Sequence, residues 1–147
     1  MELASSQFER AKRTAVSSFI IMFDVDHFKN VNDTYGHIMG DKVLICIAER
    51  VQKAIRPYDL FGRYGGEEFI MLVSDINEKD IENYTERMRA AINNISMVFD
   101  QTELTVSASF GVASVTAADS LHGVINIADE ALYKAKNSGR NNVTMAT

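Results

Sequence analysis

The spacing of apolar residues along the chain changes repeatedly between strand-like and helix-like periods. Continuous or alternating apolar positions predict strands over residues 19–23, 59–64, 68–73 and 104–112, and a short last strand around Val143. Apolar residues at helical intervals predict helices over residues 7–15, 28–32, 40–54, 81–95 and 121–135. This order favours an α/β (α+β) fold, in which helices flank a central, mostly antiparallel sheet with a βαββαβ core.

Turn and capping residues mark where several of these elements begin and end. Gly65-Gly66 separates the second and third strands and predicts a hairpin. Gly40-Asp41 is a start signal for the first long helix, Asp119-Ser120 can cap the last helix, and Gly139 is placed to stop it. Because apolar and polar residues alternate over 104–112, that strand is predicted to bury only one face.

Composition and charge indicate one domain that does not bind nucleic acid. The 147 residues, of which 46% are hydrophobic, suffice for one compact core, so residues 1–147 are interpreted as a single domain. Acidic residues outnumber basic ones by 20 to 15, which gives a net charge of −5. This sign disfavours general binding to DNA or RNA, whose backbones are anionic.

The sequence also bears on the cellular compartment. The apolar run at residues 19–23 ends at Asp24, far short of the roughly 20 residues that cross a bilayer, and the charged N-terminus is unlike a signal peptide. Cys46 is the only cysteine, so it forms neither an internal disulfide nor a CxxC metal site. We therefore expect a cytoplasmic protein without direct membrane insertion, or the cytoplasmic domain of a larger, membrane-associated protein.

Pairs of carboxylates follow the first predicted strand and the diglycine turn. Asp24 and Asp26 end the first strand on one face, and Glu67 and Glu68 follow the diglycine. Like charges this close repel unless a cation lies between or beside them. Carboxylate oxygens suit Mg²⁺, which typically takes further ligands from substrate phosphates. The alternative, for the DxD pair taken alone, is a solvated loop.

Several separated motifs, in this order and spacing, resemble the GGDEF domain family, the diguanylate cyclases. They are FDVDHFKNVNDTYGH followed by GD, R..DL, RYGGEEF, SFGVA and ADEALYKAKNSGRN. The resemblance runs from about Ile20 to Val143. The family condenses two GTP molecules into cyclic di-GMP and two pyrophosphates, and its fold resembles nucleotidyl cyclase and polymerase palm domains. The resemblance therefore implies a diguanylate cyclase with a GGEEF-type signature.

The resemblance implies a role for each matching carboxylate. Asp24, the backbone carbonyl of Val25, Glu67 and Glu68 match the family's magnesium-binding positions, with Mn²⁺ as an alternative ion. Metal there neutralises the charge that develops as the ribose 3′-hydroxyl attacks the α-phosphate. Asp24, Glu67 and Glu68 are the implied catalytic residues, and Glu68 is the candidate that accepts the hydroxyl proton. Glutamate at the third signature position keeps the carboxylate, so activity is expected to survive.

Two further positions are implied to read guanine. Asn32 and Asp41 match the family's guanine-binding pair. An amide and a carboxylate suit a base that offers N–H donors beside a carbonyl acceptor. The plainer alternatives are an exposed polar helix residue for Asn32 and a helix cap for Asp41.

Five positions are implied to hold the triphosphate. Lys29, Lys136 and Arg140 match family residues that contact it, and backbone amides near His27 and Phe28 are expected to contribute. The alternative for Lys136 and Arg140 is a favourable interaction with the dipole at the end of the last helix.

A short motif before the diglycine suggests regulation. Arg56 and Asp59, in RPYD, match the RxxD site at which the product inhibits the family's enzymes. Arginine forks onto guanine or phosphate, and aspartate accepts from guanine N–H groups. The alternative is an ion pair within a loop.

The resemblance also implies partners. Each protomer holds one GTP and a single site cannot close the ring alone, so a homodimer is expected. Segment 1–17 lacks the family's usual D-x-LTGLxNRR sequence and is therefore atypical. A sensor or receiver domain is expected upstream, outside this chain. The alternative function is a catalytically silent module that binds GTP or cyclic di-GMP, and a cyclase for another base is opposed by Asn32 and Asp41.

Overall fold

The structure is a computed structural model that describes residues 2–14 and 16–147. Its helices are α1 (Glu2–Thr14), α2 (Phe28–Tyr35), α3 (His37–Ala54), α4 (Glu78–Asn93) and α5 (Leu121–Asn137), with a 3-10 turn at Val115–Ala117. Its strands are β1 (Ser18–Val25), β2 (Leu60–Arg63), β3 (Glu68–Ser74), β4 (Met97–Phe99), β5 (Thr102–Leu104), β6 (Ala108–Ser114) and β7 (Val143–Met145). Within these ranges no helix is both long and apolar enough to cross a membrane.

Five of the strands form one sheet in the order β2-β3-β1-β6-β7, while β4 and β5 pair separately. β1 is antiparallel to both β3 and β6, and β2 is antiparallel to β3. Only the β6–β7 pair in this sheet is parallel. The predicted α/β fold with a central, mostly antiparallel sheet is therefore confirmed, as are the β2–β3 hairpin and the last strand.

The central strand β1 is buried along its whole length because helices cover both faces of the sheet. Phe19, Ile21 and Phe23 point into a core shared with α2, α3 and α4. Ile20 and Met22 point to the opposite side, where α1 and α5 pack. A continuous apolar strand of this kind is typical of a position covered on both faces.

The prediction of one half-buried strand over 104–112 is wrong. Residues 102–104 pair with 97–99 in a small hairpin, whose connecting residues Asp100 and Gln101 have φ of 47° and 71°. Two positive φ values suit the tight turn of such a hairpin, but neither residue is glycine, so the sequence signal is weak. The sheet strand itself, β6, is buried on both faces from residue 108 to 113, since its small side chains admit α5.

Other boundaries differ by a few residues. The first helix begins at Glu2 instead of residue 7, and its predicted end, Ala15, lies outside the described residues. The cap predicted at Asp119-Ser120 is confirmed at Ser120, whose hydroxyl accepts a hydrogen bond from the amide of Gly123 at 3.0 Å. Gly139 follows the end of α5 with a φ of 107°, a value that favours glycine.

Helix α5 lies directly on β6 at Gly111. A Cβ at this position would overlap the carbonyl oxygen of Ala128 and the amide nitrogen of Leu132, and would lie 2.9 Å from the carbonyl carbon of Ala131. These are backbone atoms of a helix, which cannot rotate away as a side chain can. Glycine at this position therefore sets the distance between α5 and the sheet.

We predict that Gly111→Ala lowers the free energy of unfolding by about 3 kcal/mol, as overpacking against an immovable backbone does. Urea denaturation measures the change. Gly62→Ala in β2 is the matched control, because a Cβ there meets no atom within 4 Å. Equal effects of the two substitutions would contradict the assigned role of Gly111.

Candidate active site

Asp24 and Glu68 face each other across β1 and β3, near the carboxyl end of β1. Directly opposed residues of antiparallel strands project to the same side, which here is the side covered by α5. Asp24 is only 5% exposed, whereas Glu68 is half-buried. The ammonium group of Lys136, in the last turn of α5, donates to Oδ2 of Asp24 at 2.5 Å.

The pKa of Asp24 is raised above its ordinary value, chiefly because burial disfavours the charged form. The hydrogen bond and the charge of Lys136 lower this pKa, while the carboxylates of Glu67 and Asp26 raise it. Lys136 therefore offsets only part of the penalty of burying this charge. The alternative for Lys136, an interaction with the helix dipole, does not account for this hydrogen bond to Asp24.

The pKa of Glu68 is also raised, first by burial and then by the negative charges of Asp129 and Asp24. Asp129 lies on α5 seven residues before Lys136, which is two helical turns and so nearly the same face. The sequence interpretation did not include Asp129. The signal in the sequence that could have identified Asp129 is its seven-residue spacing from Lys136.

The implied metal positions are adjacent but do not form a closed cage. The amide of Val25 donates to the carbonyl oxygen of Glu67 at 3.4 Å, so the turn before β3 meets the end of β1. Among the described residues, no three His, Cys, Asp or Glu side chains converge closely enough to hold a metal ion alone. Any ion at Asp24, Glu67 and Glu68 therefore needs ligands from elsewhere.

Asp26, the second carboxylate of the DxD pair, is satisfied by the protein itself. It lies just past β1 and accepts hydrogen bonds from the hydroxyls of Ser107 and Ser109, both at 2.6 Å. The amide of Asn141 donates to it at 2.9 Å. Asp26 thus joins three chain segments and needs no cation, contrary to the expectation from its spacing with Asp24.

Asn32, on α2, carries an unpaired polar atom. Its Oδ1 is buried and has no hydrogen-bond partner among residues 2–14 and 16–147. The oxygen points at Gly40 of α3, where any Cβ would overlap it, and Phe28 closes the same space. The alternative of an exposed helix residue is therefore wrong, and a buried oxygen without a donor costs free energy unless a ligand supplies one.

Asp41 follows Gly40 and is exposed. Because α3 begins at His37 and the amide of Gly40 already bonds to the carbonyl oxygen of Gly36, Asp41 is not a helix cap, and that alternative is wrong. Asp41 instead borders a groove between α3 and β2 that Phe61 and Arg63 also line.

The first turn of α2 presents backbone N–H groups beside these carboxylates. His27 precedes α2 with a φ of 55° and offers no side-chain cap, so the first amides, near Phe28, are left without intrahelical partners. Lys29 is exposed on the same helix, and Arg140 lies beyond the end of α5 with a φ of 63°. Neither side chain joins an ion pair within the described ranges.

Arg56 and Asp59 form an ion pair at the other end of β1. Asp59 Oδ1 accepts from Arg56 Nη2 at 3.0 Å, and the side chain of Asp59 is completely buried. Arg56 Nη2 also donates to the carbonyl oxygen of Ser74, which pairs with Ser18 at the start of β1. Six residues separate Ser18 from Asp24, so this pair lies about 20 Å from the catalytic candidates.

Comparison with known proteins gives a consistent result. The sequence model of the family described as "Diguanylate cyclase, GGDEF domain" matches residues 2–142. Diguanylate cyclase A of Treponema denticola is 39% identical over 128 residues, which cover 86% of this chain and 34% of that protein. The chain thus spans about a third of the length of this curated relative.

Solved structures are also similar. Diguanylate cyclase SiaD of Pseudomonas aeruginosa, in complex with its activator SiaC, superposes with a TM-score of 0.92 at 37% identity, covering 99% of this chain and 57% of SiaD. The GGDEF domain of DgcB from Caulobacter crescentus, in complex with c-di-GMP, gives 0.90 at 30% identity and covers 97% of this chain and 85% of that domain.

We predict that Asp26→Ala lowers the free energy of unfolding by about 2 to 3 kcal/mol, because it leaves buried donors without their charged acceptor. Urea denaturation is again the measurement. Asp33→Ala, on the exposed face of α2, is the control and should change stability little. A small loss for Asp26→Ala, comparable to that control, would show that Asp26 has no structural role.

Proposed function

The chain belongs to the diguanylate cyclase GGDEF domain family, and from this we propose that it condenses two GTP molecules into cyclic di-GMP with release of two pyrophosphates. The observation that carries the proposal is the facing pair Asp24 and Glu68 beside the uncapped start of α2. Carboxylates and free backbone amides at one place suit a nucleoside triphosphate with its divalent cation.

The oxygen donors fit Mg²⁺, or Mn²⁺ in its place. We propose that Asp24, Glu67, Glu68 and the backbone carbonyl of Val25 hold the ion, which when bound neutralises charge on the phosphates. The excess of negative charge around Asp24 and Glu68 supports this assignment. Mg²⁺ characteristically takes further ligands from phosphates and water, so these positions need not surround the ion alone.

Glu68 is the proposed general base. It accepts the proton of the ribose 3′-hydroxyl as that oxygen bonds to the α-phosphorus of the second GTP and the bond to pyrophosphate breaks. Burial and neighbouring carboxylates raise the pKa of Glu68, which makes it a better proton acceptor than an exposed glutamate. Asp24 and Glu67 are the proposed partners of the cation.

We propose that backbone amides and cationic side chains bind the phosphates. The amides at His27 and Phe28 point from the start of α2, where the helix dipole favours an anion. We propose that Lys29, Lys136 and Arg140 add positive charge. We propose that the triphosphate lies over Gly65-Gly66, where a Cβ at Gly66 would meet no atom within 4 Å and a Cβ at Gly65 would meet Oε2 of Glu68 at 4.0 Å.

Asn32 and Asp41 are the proposed guanine readers. The unpaired Oδ1 of Asn32 accepts from a guanine N–H group, and the exposed carboxylate of Asp41 accepts from another. Adenine lacks this arrangement of donors and would leave Asn32 unpaired.

Two protomers are needed, since each is proposed to hold one GTP and ring closure joins both nucleotides. Cyclic di-GMP is further proposed to inhibit by binding at Arg56 and Asp59, far from the reacting groups.

The first test is incubation of the purified chain with GTP and Mg²⁺ at several protein concentrations, with chromatography of the products. We predict that cyclic di-GMP forms at a rate that rises more than linearly with protein concentration, as a transient dimer requires. Glu68→Gln should lower turnover about 100-fold or more, because it removes the base, and should retain most of the affinity for a fluorescent GTP analogue.

Glu49→Gln, on the exposed face of α3, is the matched control and should retain activity. Normal turnover by Glu68→Gln would exclude Glu68 as the base. If the chain binds GTP but forms no product at any protein concentration, the proposed cyclase activity is wrong and the chain is a nucleotide-binding module.

We also predict that Asn32→Ala weakens binding of the GTP analogue about tenfold while leaving the free energy of unfolding unchanged or higher. The substitution removes a buried oxygen that has no partner in the described part of the chain, so it removes a cost to the folded state together with a contact to the ligand. Calorimetric binding and urea denaturation measure the two effects. A loss of stability with unchanged nucleotide affinity would contradict the assignment.

A further inference from the structure

Three consecutive residues after α5 have a left-handed backbone. The φ angles of Gly139, Arg140 and Asn141 are 107°, 63° and 48°. Glycine adopts such angles freely and asparagine tolerates them, whereas arginine incurs a steric cost. A residue of this kind stays left-handed only when the surrounding structure holds it there. The conformation of Arg140 is therefore imposed by its neighbours.

The backbone of Arg140 is hydrogen-bonded on both sides. Its amide donates to the carbonyl oxygen of Ala135, in the last turn of α5, at 3.1 Å. Its carbonyl oxygen accepts from Nδ2 of Asn142 at 2.9 Å, and the same Nδ2 donates to the carbonyl oxygen of Ala135 at 2.9 Å. The half-buried side chain of Asn142 thus bridges the end of α5 and the carbonyl group of Arg140.

Asn141 anchors the same turn to the candidate active site. Its amide donates to Oδ2 of Asp26 at 2.9 Å and to the hydroxyl of Ser109 at 3.2 Å. Its side-chain oxygen accepts from Nη1 of Arg89, on α4, at 2.8 Å. Because Asp26 lies just before α2, these bonds hold Arg140 close to the backbone amides that are proposed to bind phosphate.

The side chain of Arg140, in contrast, is exposed and joins no ion pair among residues 2–14 and 16–147. An arginine on a free turn loses both backbone and side-chain freedom when it binds a ligand, and this loss lowers its affinity. The backbone of Arg140 is already fixed in the unliganded chain, so only its side chain remains to be ordered. Such a residue is prepared to bind an anion.

We infer that Asn142 is a positioning residue, which holds Arg140 in its left-handed conformation so that the guanidinium meets the phosphates of GTP. Asp26 anchors the same turn through the amide of Asn141. The inference rests on the proposed function, from which it takes the contact between Arg140 and the triphosphate, and it adds the residues that prepare this contact. A guanidinium placed in this way forks onto phosphate oxygens without first ordering the chain.

Binding of a GTP analogue whose fluorophore occupies the ribose 3′-oxygen, and which therefore cannot react, tests the inference without catalysis. Asn142→Ala removes both Nδ2 hydrogen bonds and should weaken this binding about tenfold. Guanosine carries no phosphate, so its affinity, measured by displacement of the analogue, should not change. In an Arg140→Ala background, Asn142→Ala should have no further effect, because Asn142 acts through Arg140.

Asn137→Ala is the matched control. It removes an exposed amide from the same end of α5, so this variant should bind both ligands as the parent chain does. If guanosine does not displace the analogue from the parent chain, the comparison with the Arg140→Ala background decides alone.

A second measurement needs no ligand. Because glycine relieves the strain at a φ of 63° and alanine does not, Arg140→Gly should denature at a higher urea concentration than Arg140→Ala. Equal midpoints would overturn the inference, since Arg140 would then not be held in a left-handed conformation.

Equal losses of affinity for the GTP analogue and for guanosine in Asn142→Ala would overturn the inference, because Asn142 would then only stabilise the fold. An effect of Asn142→Ala that persists in the Arg140→Ala background would overturn it as well. So would unchanged binding of the analogue by Asn142→Ala when Arg140→Ala binds it more weakly.

The proposed function fails on different results. Unchanged binding of the analogue by Arg140→Ala would refute the phosphate contact assigned to Arg140, and the inference with it. If the binding results are as expected but the parent chain forms no cyclic di-GMP, the cyclase activity is refuted and the positioning of Arg140 is not.

Discussion

The charge of Asp24 at the end of a fully buried strand is the constraint on which the site depends. β1 has β3 on one side, β6 on the other and helices on both faces, so this carboxylate has little access to water. A buried charge costs free energy unless it is paired. Lys136 provides one partner, and Glu68, in register on β3, adds charge of the same sign. The incomplete compensation leaves an excess of negative charge at this place, which suits a cation.

The contact between Lys136 and Asp24 in turn depends on how closely α5 approaches the sheet. Gly111 lies opposite Met22 on β1, two residues before Asp24, and its missing side chain admits the backbone of α5 near Leu132. Lys136 follows one helical turn later and reaches the carboxylate. The close packing of α5 on β6 thus sets the electrostatics at the end of β1.

The two ends of β1 carry acidic groups in opposite states. Asp24 has one cationic partner and a raised pKa, whereas Asp59, near the start of β1, is saturated by Arg56 and Tyr84. Asp59 accepts four hydrogen bonds, whereas the side chain of Asp24 accepts one within the described residues, from Lys136. The motifs imply ligand contacts for both Asp24 and Asp59. Only the hydrogen-bond partners seen in the structure distinguish the two carboxylates.

Most of what the sequence determined is local or carried by motifs. Periodicity predicts the helices, the apolar run predicts β1, and the motifs identify the family and its carboxylates, because these signals depend on neighbours along the chain. The β4–β5 hairpin escaped prediction, since its turn uses Asp100 and Gln101 in place of glycine. Tertiary structure alone decided that β6 is covered on both faces and that the carboxylate of Asp26 is hydrogen-bonded within the protein. It also decided that Oδ1 of Asn32 has no hydrogen-bond partner among the described residues. Those outcomes depend on residues far apart in sequence, whose distances are set by packing.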